Sequence, residues 1–238
     1  MRTDTITLQT PDGPMECFEA IPDEAGAGVV VIQEAFGVNE HISDVATRFA
    51  NEGYRAIAPA LYHRAGGGTA PYDDFSKVMP LMQGVNDETF LMDVDAALAH
   101  LRDAGIPPER TGIVGFCMGG RVTFLVALRR KLGAAVGFYG GGIVTQRRPD
   151  MPSLIGDATQ LQTPWLGLFG DEDQSIPAED VEKLRAALEA DAKPDTEIVR
   201  YPGAQHGFFC DLRDSYDADA AADAWPRTLR WFRQYLRL

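Results

Sequence analysis

The chain has 238 residues, 45% of them hydrophobic, and carries 22 Lys and Arg against 35 Asp and Glu, a formal charge of −13. At roughly 150 residues per domain this length allows one or two domains, and α/β folds of this size are commonly a single unit. The acidic excess disfavours nucleic acid, whose binding depends on Lys and Arg neutralising phosphates, and 24 Gly and 15 Pro spread through an average apolar content exclude collagen, coiled coil and wholesale disorder.

Met1-Arg2-Thr3-Asp4-Thr5 carries an acid where a signal peptide has a basic start followed by an apolar run, and no stretch approaches ~18 continuous apolar residues. The expectation is a soluble cytoplasmic protein with no membrane partner. Ile6 and Leu8 alternate with polar residues, Asp12-Gly13 supplies a turn, and Met15, Cys17 and Ile21 share a face, which predicts an N-terminal antiparallel hairpin. Val29-Val30-Val31-Ile32 is continuously apolar and β-branched, as a strand covered by helices on both faces requires. Ile42, Val45, Ala46, Phe49 and Ala50 follow helical spacing, with Asn39 or Ser43 near the start and Gly53 at the end. Tyr54 to Ala58 is a short strand stopped by Pro59.

From Tyr62 to Gly84 the chain is rich in Gly, Pro, Asp and Tyr, with one short helix hinted at over Phe75 to Met82. It reads as a lid or substrate-contacting segment. Phe90, Leu91, Val94, Leu98 and Leu101 predict a helix of about fifteen residues. Thr111 to Gly115 reads as a strand and Gly119 to Lys131 as a helix. The alternation continues with strands Ala134 to Tyr139 and Trp165 to Phe169, helix Pro177 to Ala190, strand Glu197 to Tyr201 and a closing helix. In that last helix Pro226 predicts either a kink or a start near Trp225. Gly140 to Thr163 is too polar and Gly/Pro-punctuated for a core element. No repeat or linker divides the chain, so the reading is one α/β domain over 1–238, a mostly parallel sheet with helices on both faces.

The strongest chemical signal is Gly115-Phe116-Cys117-Met118-Gly119-Gly120, between an apolar strand and a helix. A nucleophile on a sharp strand-to-helix turn needs small neighbours, because a side chain beside it would collide with the helix. The helix N-terminus also favours a thiolate. Such a thiol needs a base, and the base needs a group that fixes its tautomer. His206 lies in Gly203-Ala204-Gln205-His206-Gly207-Phe208 just after a strand, and Gly170-Asp171-Glu172-Asp173 follows the preceding strand. The order nucleophile, acid, histidine, each after its own strand, is that of α/β hydrolases. Cys17, Cys117 and Cys210 contain no Cys-x-x-Cys pair, and His41 and His100 read as solvated helix residues whose scatter gives no metal-ligand pattern. No metal or cofactor is expected.

Val31-Ile32-Gln33-Glu34-Ala35-Phe36-Gly37, the Cys117 hexapeptide, the Gly-x-x-Asp turn ending at Asp173 and Ala204-Gln205-His206-Gly207-Phe208 together resemble the dienelactone hydrolase family of the α/β-hydrolase superfamily, over essentially the whole chain. The resemblance implies a Cys117–His206–Asp173 triad, with Asp173 preferred to Asp171 by its place in the turn although spacing alone does not separate them. It implies an oxyanion hole from the backbone N–H groups of Met118 and Ala35, and a Glu34 that hydrogen-bonds the resting thiol. The family's substrate-binding arginine four residues beyond the histidine is Cys210 here, which leaves Glu34 without that partner. Arg64, Phe36 and Tyr139 are the candidate substrate-binding residues. Arg121 reads as an ion-pair member.

A thiolate leaves a tetrahedral intermediate more readily than an ordinary alkoxide, so simple alkyl esters revert while lactones and esters with phenolic, enolic or thiol leaving groups go forward. The expected partner is therefore a small activated ester or lactone, acted on by a monomer or homodimer. Dienelactone hydrolysis itself (carboxymethylenebutenolidase activity) is the alternative within that reading. A redox-responsive or ligand-binding relative that does not turn over is the alternative outside it.

Overall fold

The computed structural model describes residues 1–190 and 194–236. Strands β1 (Arg2–Thr10) and β2 (Gly13–Ile21) form the expected hairpin, turning through Gly13 at φ +117, a conformation glycine adopts without steric penalty. β3 (Ala27–Ile32), β4 (Tyr54–Pro59), β5 (Thr111–Phe116), β6 (Ala134–Phe138), β7 (Trp165–Gly170) and β8 (Thr196–Tyr201) complete one sheet of order β1-β2-β4-β3-β5-β6-β7-β8. From β4 to β8 every pairing is parallel, while β2 runs antiparallel to both neighbours.

Helices α1 (Glu40–Asn51), α3 (Asp87–Asp103), α4 (Met118–Arg129), α5 (Ala178–Glu189) and α6 (Ala218–Tyr235), with the four-residue α2 (Val78–Leu81), connect and flank the strands. The register shows which face each covers. Gly28 pairs with Thr111 and Val29 with Gly112, and side-chain direction alternates along a strand, so Gly28 and Gly112 face opposite sides. A methyl at Gly28 would meet Leu101 of α3, and one at Gly112 would meet Phe232 of α6. α6 shares its side with α1 through Phe49 against Trp225 and Phe232, at 4.7 and 5.7 Å between ring centroids. All of β3, β5, β6 and β7 is buried, as continuous apolar runs between two helical layers require.

Asn39 caps α1, its side chain accepting from the Ile42 N–H. α6 starts at Asp217, whose side chain accepts from Ala220, and runs through Pro226. Of the two expectations, the start near Trp225 is overturned and Pro226 lies inside the helix, because the Ala-rich turns before the proline, helped by that cap, carry the helix well ahead of it. Gly140–Thr163 departs from a plain surface loop. It carries a 3-10 turn, Ile155–Gln160, and buries Ile143, Met151, Leu154, Ala158 and Leu161 against the core. Apolar anchors scattered without a regular period leave no pattern for sequence reading to find. Among the described residues no helix is long and apolar enough to cross a membrane.

Candidate active site

Because β3 to β8 run in parallel, their carboxyl ends open on one edge, and there the chain delivers Glu34, Cys117, Tyr139, Asp173 and His206. Cys117 occupies φ +56, ψ −115, a region L-residues rarely adopt, and its N–H donates to the Phe138 carbonyl at 3.0 Å. The glycines around it are obligatory. A methyl at Gly115 would lie 2.2 Å from the Gly119 carbonyl oxygen, one at Gly119 2.5 Å from that of Ile32, and one at Gly120 2.4 Å from that of Phe138.

His206 Nδ1 and Asp173 Oδ2 stand 2.6 Å apart. The other carboxylate oxygen of Asp173 accepts from the Ser175 N–H, the Ser175 hydroxyl and the Ile176 N–H at 2.8, 2.6 and 3.1 Å. Asp171 turns outward to Arg200 at 2.6 Å, so geometry separates the two acids that spacing leaves open. Burial works to raise the Asp173 carboxyl, but the His206 hydrogen bond and the Ser175 donors outweigh it and hold the group below the usual carboxylate value.

His206 and Cys117 line the same cavity, the ring facing the sulfur. Burial would depress the imidazole, yet the facing sulfur and Asp173 push it up to about 10. Burial would likewise raise the Cys117 thiol, and the facing His206 charge, joined by the Met118 N–H, brings it below the ordinary 9.0 while Glu34 opposes them. The pair therefore titrates as a unit biased toward thiolate and imidazolium. The other thiols go the opposite way: burial pushes Cys17 up to about 12 and Cys210 up to about 11.

Glu34 is fully buried and accepts one hydrogen bond, from Arg213 Nη1 at 3.3 Å, while its Oε2 has no partner among the described residues. No arginine stands four residues beyond His206, as expected, but the implied hydrogen bond between Glu34 and the resting Cys117 thiol is corrected: the carboxylate takes a different arginine instead. The cation comes seven residues after His206 rather than four, through a turn that packs the Arg213 guanidinium onto Gly207 and over the rings of Phe36 and Tyr72. Cys210 faces Tyr72 instead, donating to its hydroxyl at 3.3 Å.

Cys117 and His206 open on a cavity of about 510 Å³ walled by Ala35, Met118, Met151 and Ser175, by Phe75, Met79 and Met82 of the 62–84 segment, and by Arg121, Arg147 and Arg148. The three expected substrate-binding residues stand elsewhere. Arg64 does not line this cavity: its guanidinium is claimed by Asp93 at 2.7 and 2.9 Å and by Asp12 at 2.7 Å, because a fully buried carboxylate at Asp93 requires a cation. Phe36 lies one layer back against Tyr72 and Phe75. Tyr139, fully buried at φ +38, presents its ring to that of His206 at 5.1 Å between centroids.

Arg121 is an interhelical ion-pair member, bound from α4 to Asp87 of α3, and it is buried. His41 is buried against Phe116 and Phe209, and His100 is half-buried between Glu19 and Arg55, so neither is the solvated residue the helical pattern suggests. The 62–84 segment, read as substrate-contacting, supplies Phe75, Met79 and Met82, whereas Arg147, Arg148 and Met151 escape sequence reading because they sit in a segment without periodicity. Among the described residues no group of three or more His, Cys, Asp or Glu is placed to hold a metal ion.

The model of the dienelactone hydrolase family matches residues 15–236. A relative from Escherichia coli strain K12, described as "Putative carboxymethylenebutenolidase", is 44% identical over 231 residues, covering 93% of this chain and 83% of its own. One from Synechocystis, with the same description, is 40% identical and covers all of this chain and 98% of its own. Among solved structures, one described as "Putative Dienelactone Hydrolase" from Klebsiella pneumoniae superposes with a TM-score of 0.90 at 40% identity, covering 98% of this chain and 99% of that one. With the motifs, the sheet and these matches running nearly end to end, the chain belongs to the dienelactone hydrolase family, with the α/β-hydrolase fold of hydrolases that act on ester or lactone bonds.

Proposed function

We propose that the protein hydrolyses small activated esters or lactones through a Cys117 acyl-enzyme. The observation that carries this reading is His206, held by Asp173 at 2.6 Å, lining the same 510 Å³ cavity as Cys117. His206 takes the thiol proton, and Asp173 fixes its tautomer and stabilises the imidazolium. The sulfur attacks the carbonyl carbon. The resulting oxyanion sits before the N–H groups of Met118, the first residue of α4, and of Ala35 in the turn after β3. As the C–O or C–S bond breaks, His206 returns its proton to the leaving group. Water then adds to the thioester, His206 again acting as base, and the acid product leaves with the thiol restored.

The leaving-group argument favours lactones, aryl esters and thioesters over alkyl esters, and the relatives' shared description supports a lactone within that class. The segment 62–84 acts as the substrate-contacting cap, supported by the three apolar side chains it sends into the cavity. Cys117→Ala is expected to abolish turnover of p-nitrophenyl acetate with unchanged circular dichroism. Undiminished turnover in that variant overturns the proposal, and so does a wild-type protein that releases only one equivalent of product per chain.

A further inference from the structure

Ala35 stands in the turn after β3, is buried, and lines the reactive cavity together with Cys117 and Met118. Its N–H meets no acceptor among the described residues. Buried backbone donors are almost always paired, because leaving one unmatched costs the desolvation of the group. An open donor at a cavity wall keeps its direction only if the peptide groups around it are held from behind.

The hold comes from the chain just after β4. Gln33 is fully buried: its Oε1 accepts from the Leu61 N–H at 3.1 Å, and its Nε2 donates to the Glu34 carbonyl at 3.3 Å. That carbonyl shares one planar peptide group with the Ala35 N–H, so fixing the one aims the other. Tyr62, itself buried, donates its hydroxyl to the Ala35 carbonyl at 2.9 Å. The same hydroxyl lies 3.8 Å from the Met118 sulfur, on the residue whose N–H bonds the Cys117 sulfur. Burial keeps the Tyr62 phenol above the ordinary 10.0, so it stays a donor through the neutral range. Further along, the Ala70 N–H donates to the Phe36 carbonyl at 3.0 Å, and a methyl on Gly37 would fall 2.6 Å from the Gly68 carbonyl oxygen.

Both peptide groups flanking the Ala35 Cα are therefore tied by side chains, Gln33 to the one before and Tyr62 to the one after. Tyr62 does not line the cavity, yet it touches both residues whose N–H groups face the developing charge. We propose that Tyr62, with Gln33 beside it, is a positioning residue for the oxyanion hole, its hydroxyl holding the Ala35 N–H at the angle that meets the substrate's carbonyl oxygen as that oxygen becomes negative. This rests on the hydrolase reading above. It adds that the first residue of the 62–84 segment acts on catalysis through the backbone, without contact with substrate.

The test compares two reactions of the same sulfur in the wild-type protein and in Tyr62→Phe. Alkylation by iodoacetamide displaces iodide and builds no oxyanion, whereas acylation by p-nitrophenyl acetate passes through one. Deleting an oxyanion donor outright costs on the order of 10²–10³ in rate, so misaiming one is expected to lower kcat/KM for the ester by about tenfold. The rate of Cys117 alkylation at neutral pH is expected to stay at the wild-type value. Should Tyr62→Phe fail to fold, Gln33→Met, which removes the other tie, decides by the same two rates. Ester turnover equal to wild type overturns the proposal, and so does an equal fractional loss in both reactions, which is the mark of a merely structural hydroxyl; either result leaves the hydrolase reading intact. Absence of ester turnover in the wild type, with alkylation intact, overturns both.

Discussion

Three thiols in one chain meet three different electrostatic settings, and only one is arranged for reaction. Burial keeps Cys17 and Cys210 protonated far above neutral pH, while His206 pulls Cys117 below the ordinary thiol value. Iodoacetamide at neutral pH is therefore expected to add one carboxamidomethyl group per chain, at Cys117, with a rate that follows its thiolate fraction and a midpoint below the ordinary 9.0. His206→Ala removes the opposing charge and leaves the burial penalty unanswered, so the midpoint rises above 9.0. Glu34→Gln removes the carboxylate that disfavours the thiolate and frees Arg213, so the midpoint falls. Mass spectrometry after a pH series of alkylation reads all three, and a Glu34→Gln midpoint at or above wild type contradicts the role given to that charge. The convergence of Cys117, Asp173 and His206 on one sheet edge is legible residue by residue because each follows its own strand within a short glycine-marked motif. Arg213 is not, because no local pattern links it to a carboxylate 179 positions earlier, and only the folded turn after His206 brings them together.

The turn that holds Cys117 depends on two elements approaching as closely as backbone allows. α4 begins directly against the end of β3, and at Gly119 the space for a side chain is already filled by the carbonyl oxygens of Ile32 and Gln33, 2.5 and 2.6 Å from where a methyl would sit. Backbone on both sides cannot relax by changing a rotamer, so Gly119→Ala is expected to cost roughly 1–3 kcal/mol. That lowers Tm by several degrees at about 2–4 °C per kcal/mol for a chain of this size. It also displaces Glu34 and Ala35 from Cys117, so ester turnover falls with it. Gly156, in the 3-10 turn Ile155–Gln160, has open space where a methyl would stand, with no atom within 4 Å, and its φ lies outside the left-handed region. Gly156→Ala is therefore expected to be neutral or to stabilise by about 0.4–1 kcal/mol. Equal Tm values for the two variants contradict the close-approach argument. The strands and most helices are readable in the sequence because a buried parallel sheet demands uninterrupted β-branched and apolar runs, and amphipathic helices keep their period. The start of α6 is not, because Pro226 looks like a boundary, whereas the Asp217 cap and the alanines after it determine where the helix begins.

At the scale of the whole molecule, the hairpin β1–β2, the base of the 62–84 segment and α3 are joined through one buried carboxylate. Asp93 on α3 is fully buried and accepts two hydrogen bonds from Arg64, while His63 stands 3.1 Å from the same carboxylate. Arg64 in turn reaches Asp12 in the hairpin turn at 2.7 Å. Arg64 thus acts as a tie between elements, which is why its cationic charge is not available to a substrate. Removing one partner of a buried ion pair leaves the other desolvated and uncompensated, a loss of roughly 3–5 kcal/mol. At about 2–4 °C per kcal/mol, Asp93→Ala is expected to lower Tm by on the order of 10 °C. Because the tie does not touch Cys117 or His206, the pH midpoint of Cys117 alkylation in the folded variant is expected to match wild type. Scanning calorimetry and the alkylation series decide the matter together. A Tm within a degree or two of wild type shows that the network adds no stability, and a shifted alkylation midpoint shows that it reaches the reactive sulfur after all.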